Sequence, residues 1–93
     1  SCRARVMSEL LKHRIKRMKM RSMRRGIKEM DLILPAFADS RLAQMSEAEL
    51  LVYDALLSEN DHDLYQWVTG QVAPPEQFAA TIAQIATTLN KLD

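Results

Sequence analysis

Only five of the ninety-three residues are glycine or proline, and their placement constrains the fold more than any other feature. Gly26, Gly70 and the pair Pro74-Pro75 fall between stretches whose apolar residues recur every three or four positions, and Pro35 alone lies inside one. That spacing lays apolar side chains along one face of a helix. β-branched residues are few, while Ala, Leu, Met, Glu, Gln, Lys and Arg are plentiful, which favours helix over sheet. The chain therefore reads as all-α: a compact antiparallel five-helix bundle forming one small domain over 1–93, with 1–5 expected as a loose N-terminus.

Each helix has its own signals. The first, 6–24, carries Met7, Leu11, Ile15, Met18 and Ser22 on one face, with Met20 and Met23 off it. Gly26 is expected to supply the backbone freedom a helix end needs. The second, 27–43, carries Ile27, Met30, Leu34 and Phe37; Leu32 and Ile33 should widen its buried face, and Pro35 should kink it. Ser46-Glu47-Ala48-Glu49 is a capping box that opens the third, with Met45 and Leu50 as its hydrophobic staple. Leu50, Tyr53 and Leu57 then run down one side, with Leu51 and Ala55 beside them. Asn60-Asp61 should stop the third helix and cap a short fourth, His62 to Thr69, with Leu64, Trp67 and Val68 inward. Gly70 ends it. Pro74-Pro75-Glu76 opens the fifth, whose stripe is Phe78, Ile82, Ile85 and Leu89.

Net charge is +1, but residues 1–30 carry +9 and residues 31–93 carry −8. A positive end and a negative end are expected, with salt-sensitive associations. Nine of the seventeen residues from Lys12 to Lys28 are Lys or Arg. Three partners could answer such a segment. Nucleic acid fits the charge, but the segment offers no aromatic to stack a base and the rest of the chain is acidic. A membrane surface would want Trp, Phe or Leu on an apolar face that the core needs here. An acidic protein is the third, and a merely solvated charged face is the simplest account.

Catalytic groups are scarce. His13 has only Glu9 within a helical turn. His62 lies between Asp61 and Asp63, but neighbours on a helix diverge, so capping and dipole matching explain those acids better than a metal does. Cys2, the single cysteine, permits no internal disulfide and has no nearby base. We expect no catalytic residue, no metal site and no tightly bound cofactor.

The sharpest local signal is Arg24-Arg25-Gly26-Ile27-Lys28-Glu29-Met30-Asp31. As chemistry it is an adequate helix junction: cations end one helix, acids begin the next, and Arg25 with Glu29 could pair at i, i+4. Spacing alone leaves it open whether the junction is also a contact site.

The same residues carry a resemblance. Arg25-Gly26-Ile27-Lys28-Glu29 is similar to the RGxxE motif of the succinate dehydrogenase assembly factor family, SdhE in bacteria with mitochondrial relatives. Leu34-Pro35-Ala36-Phe37 resembles that family's "PF" segment. Leu56-Leu57, Asp61, Asp63-Leu64-Tyr65 and Trp67 resemble its "LL…D.DL(F/Y).W" stretch. The three blocks are in register across about 10–88. The resemblance implies a five-helix bundle that binds the flavoprotein subunit of succinate dehydrogenase and promotes covalent FAD attachment without being the catalyst. FAD would be the client's cofactor, and the fumarate reductase flavoprotein a second client. It implies Arg25, Gly26 and Glu29 as partner-binding residues, with Arg24 and Asp31 as weaker transfers, and exposed side chains at Arg25 and Glu29. We expect a chain that is monomeric when free, with no nucleic acid partner and no membrane insertion. Because it begins almost at its first helix, a bacterial cytoplasm is favoured, or the mitochondrial matrix for a eukaryotic source. A small nucleic-acid-binding module using 12–28 is the alternative.

Overall fold

A computed structural model describes the backbone over residues 2–23 and 25–92, and side chains over 10–23 and 25–91. Among the described residues there are five helices: α1 Cys2–Arg21, α2 Lys28–Arg41, α3 Glu47–Leu56, α4 Asp61–Val68 and α5 Glu76–Leu92, with a 3-10 turn at Leu42–Gln44 between α2 and α3. No strand occurs among the described residues, as the composition predicts. The helix of α1 starts at Cys2 rather than Val6.

The core is where the stripes place it. Met30, Ile33, Leu34 and Phe37 of α2, Leu50, Tyr53 and Leu56 of α3, Leu64 of α4 and Ile85 of α5 are all essentially inaccessible to solvent. Burying such side chains stabilises the fold by roughly 1.5–3 kcal/mol each. The rings of Phe37 and Tyr53 meet at 5.3 Å and those of Trp67 and Phe78 at 6.0 Å, joining α2 to α3 and α4 to α5. Leu32 departs from expectation: it does not widen the buried face of α2 but is 65 % exposed. One residue from Ile33 is a 100° rotation, enough to carry it off the core. Leu51 is likewise exposed.

Helix ends follow local chemistry. Ser46 and Glu49 form the reciprocal capping box at 3.2 and 3.0 Å, and the hydrogen bond from the Ser46 backbone holds the Glu49 carboxyl below its usual range. Gly70, at φ 84°, follows α4 in the left-handed region. Pro35 does not end α2, which runs through it to Arg41; the missing N–H leaves the Asp31 carbonyl without its helical donor.

The first helix docks by a short apolar seam and a set of ion pairs. Met18 and Ser22 are buried and Ile15 is partly so, whereas Leu11 and Leu10 are exposed; Met7 lies outside the described side chains. Arg14 pairs with Glu47 at 3.6 Å, Lys19 with Asp39 at 3.7 Å, and Arg21 with Asp54. Part of the charge separation along the sequence is thus closed within the fold. Such half-exposed pairs are each worth under about 1 kcal/mol.

Candidate functional site

The α1–α2 turn, residues 22–27, carries the Arg-Gly pair of the motif. Ser22 anchors its start. The Ser22 hydroxyl donates to the Met18 carbonyl at 2.8 Å and meets the Tyr53 hydroxyl at 2.6 Å inside the core. Burial pushes the Tyr53 phenol up to about 12.

Two aspartates hold Arg25 and Gly26. The Arg25 backbone N–H donates to Asp31 Oδ1 at 3.0 Å, and the next N–H, that of Gly26, donates to Asp61 Oδ2 at 2.7 Å. Successive backbone donors each find a carboxylate, and charge-assisted bonds of this kind are about twice as strong as neutral ones. The other Asp61 oxygen accepts from Arg25 Nε at 2.8 Å. Arg25 Nη1 then donates to the Arg21 carbonyl at 3.0 Å and Nη2 to the Glu59 carbonyl at 3.4 Å. Every nitrogen of the guanidinium is engaged within the chain.

This corrects three expectations. Arg25 is not exposed: its side chain keeps 12 % of its accessible surface and that of Asp61 19 %. Its carboxylate partner is Asp61 on α4, not Glu29 one helical turn away. Gly26, finally, is not there for a left-handed backbone, since Gly70 is the only glycine with positive φ. A Cβ on Gly26 would lie 3.1 Å from Asp61 Oδ2, tighter than ordinary contact. Glycine there lets the Asp61 carboxylate reach the backbone.

Asp61 also differs from its expected capping role. Asn60 is the N-cap of α4, its side chain accepting from His62 N at 2.8 Å. Asp61 begins the helix proper, and its carboxylate turns away to the α1–α2 junction. Among the described residues no group of three His, Cys, Asp or Glu side chains could hold a metal.

Glu29 stands apart from this network. It is exposed on the first turn of α2 and makes no ion pair among the described residues. Together with Lys28, Asp31 and the exposed Leu32 it lines a shallow surface pocket. Met20 and Met23, 65 % and 52 % exposed, precede the same junction. The structure therefore draws Arg25 inward, leaves Glu29 and the Gly26 backbone outward, and ties up the Asp31 carboxylate in part. Arg24 lies outside the described residues. Sequence reasoning missed Asp61 as part of the site. The one available signal was its place in the block Asp61-His62-Asp63-Leu64, in register with the RGxxE segment.

The family described as "Flavinator of succinate dehydrogenase" (Sdh5) matches residues 16–89, a span that includes the turn, Glu29 and Asp61. A protein of Aspergillus terreus named succinate dehydrogenase assembly factor 2, mitochondrial, is 53% identical over 55 residues, covering 59% of this chain and 18% of that protein. The protein of the same name in Drosophila grimshawi is 36% identical over 80 residues, covering 84% of this chain and 54% of that protein. One in Saccharomyces cerevisiae is 52% identical over 48 residues, covering 52% of this chain and 30% of that protein. The chain spans about half or less of the length of these relatives. With four-fifths of its residues matched, the chain belongs to the family described as the flavinator of succinate dehydrogenase.

Proposed function

We propose that this chain is an assembly factor for succinate dehydrogenase that binds the enzyme's flavoprotein subunit and promotes covalent attachment of FAD to it. The observation that carries the reading is the family match over residues 16–89, together with the exposure of Glu29 on the first turn of α2. The chain acts as a binding factor, and the bond to flavin is made on the client. Glu29, the Gly26 backbone and the exposed Leu32, Met20 and Met23 form the contact face. Methionine suits such a face because its thioether stem adapts to the surface it meets. FAD belongs to the client, and the related fumarate reductase flavoprotein is the second client to test.

Nucleic acid is a poorer partner. Four cations of the basic segment, Arg14, Lys19, Arg21 and Arg25, are already committed to carboxylates of the same chain. No described helix is long and apolar enough to cross a membrane. The relatives are named as mitochondrial proteins, which makes the matrix the proposed setting for a eukaryotic source and the cytoplasm for a bacterial one.

The test is co-purification. The tagged chain, expressed beside a succinate dehydrogenase flavoprotein that lacks covalent flavin, should retain it through size-exclusion chromatography. Retention of nucleic acid instead, lost on raising salt, would favour the alternative.

A further inference from the structure

We propose that Asp61 is the positioning residue of the RGxxE site, and that Arg25 serves it as an internal tie rather than as a contact with the partner. The inference rests on the assembly-factor reading for its functional consequence, and on geometry alone for the clamp itself.

Among the described residues, Asp61 is the one side chain that grips both Arg25 and Gly26 at once. Its Oδ1 takes the Arg25 Nε proton at 2.8 Å and its Oδ2 the Gly26 N–H at 2.7 Å. The two oxygens lie on a rigid carboxylate, so the Arg25 side chain and the Gly26 backbone are fixed relative to each other and to α4. Arg25 completes the arrangement by bridging the end of α1, through the Arg21 carbonyl, to the loop before α4, through the Glu59 carbonyl. Three of the five N–H donors of Arg25 are used inside the chain and its side chain keeps only 12 % of its accessible surface, so it has little left to offer a partner. What the clamp leaves facing outward is the exposed Gly26 backbone and, one helical turn into α2, Glu29.

Glycine is part of the same device. The 3.1 Å gap from a built Cβ to Asp61 Oδ2 means that a side chain at 26 makes the carboxylate give way by a few tenths of an ångström, against the bond it holds to the amide. The motif's arginine and glycine thus read as two halves of one receptor for the Asp61 carboxylate, and its glutamate as the half that is presented.

Asp61→Asn tests this. The amide cannot accept on both atoms, so one of its two bonds must fail, while Asn60 still caps α4. Asp63→Asn is the control: it removes the same charge from the same helical turn, where Asp63 is exposed and makes no ion pair among the described residues. Two quantities are read: hydrogen exchange of the Gly26 amide by NMR, and the rate of covalent FAD incorporation into the apo flavoprotein. In the unsubstituted protein the Gly26 amide should be protected although the residue is exposed. Asp61→Asn should speed its exchange by about tenfold or more, the scale of a lost charge-assisted bond, and slow flavin incorporation, with the helical spectrum kept. Asp63→Asn should match wild type in both.

An unprotected Gly26 amide in the unsubstituted protein overturns the clamp, and so does an Asp61→Asn protein with wild-type exchange. This first reading needs no variant to fold. A clamp seen by exchange, with flavin incorporation unaffected by Asp61→Asn, overturns the positioning role. If the unsubstituted chain does not stimulate incorporation at all, the assembly-factor reading falls while the exchange data still decide the clamp.

Discussion

The hydroxyls of Ser22 and Tyr53 meet at 2.6 Å in the protein core, and the Ser22 hydroxyl donates its own hydrogen bond to the Met18 carbonyl. One short chain of hydrogen bonds thereby ties the end of α1 to the middle of α3, immediately before the Arg-Gly turn. Tyr53 has no accessible surface, so ionising its phenol would place an unsolvated charge beside the serine.

That relationship sets an alkaline limit on stability. Burial raises the Tyr53 phenol from 10.0 to about 12, so its proton is held more tightly in the folded state. The stabilisation is fully present below pH 10 and is lost between pH 10 and about 12, where the unfolded chain has released a proton that the native state keeps. The whole effect is about 3 kcal/mol. Denaturant titrations across this range should show stability falling steeply, and Tyr53→Phe should be less stable near neutrality but flatter above pH 10.

Arg25→Ala should destabilise the protein by about 2 kcal/mol, because it leaves the largely covered Asp61 carboxylate without its cation and frees the Glu59 and Arg21 carbonyls. Thermal unfolding followed by circular dichroism checks it. A loss within about 0.5 kcal/mol, as for an ordinary surface position, would show that the Arg25–Asp61 pair contributes nothing.

The two glycines should respond to alanine in opposite ways. Gly70→Ala meets no neighbouring atom but must hold a side chain at φ 84°, which should cost about 1–2 kcal/mol. Gly26→Ala meets the Asp61 carboxylate without any left-handed strain. Its stability should change by less than about 1 kcal/mol, since reduced freedom of the unfolded chain offsets the displaced carboxylate. The Gly26 variant should nonetheless lose client handling while the Gly70 variant retains it.

Local chemistry was legible and long-range partnership was not. The Ser46–Glu49 box and the Asn60 cap are readable because each involves residues within three positions, and the stripe from Phe78 to Leu89 because helical periodicity is local. Ser22 could be placed on the inner face of the first helix, but not opposite Tyr53. Arg25 looked paired with Glu29 because that is the acid within a helical turn, whereas the fold delivers Asp61 from thirty-six residues away. Gly26 was read for its flexibility, when its function is to leave room for a carboxylate that only tertiary structure brings near. Leu32 failed for another reason: in a run of consecutive apolar residues, composition does not say which edge of the stripe meets solvent.

Glu29 separates stability from function. It is exposed and unpaired among the described residues, so Glu29→Ala should change unfolding free energy by no more than about 0.5 kcal/mol. The contact role of Glu29 is decided by covalent flavin incorporation into an apo succinate dehydrogenase flavoprotein, mixed with FAD and either this chain or its Glu29→Ala variant. The unsubstituted chain should accelerate incorporation, and the equally stable variant should clearly lose that acceleration. No acceleration by the unsubstituted chain, or full acceleration by the variant, would contradict that role.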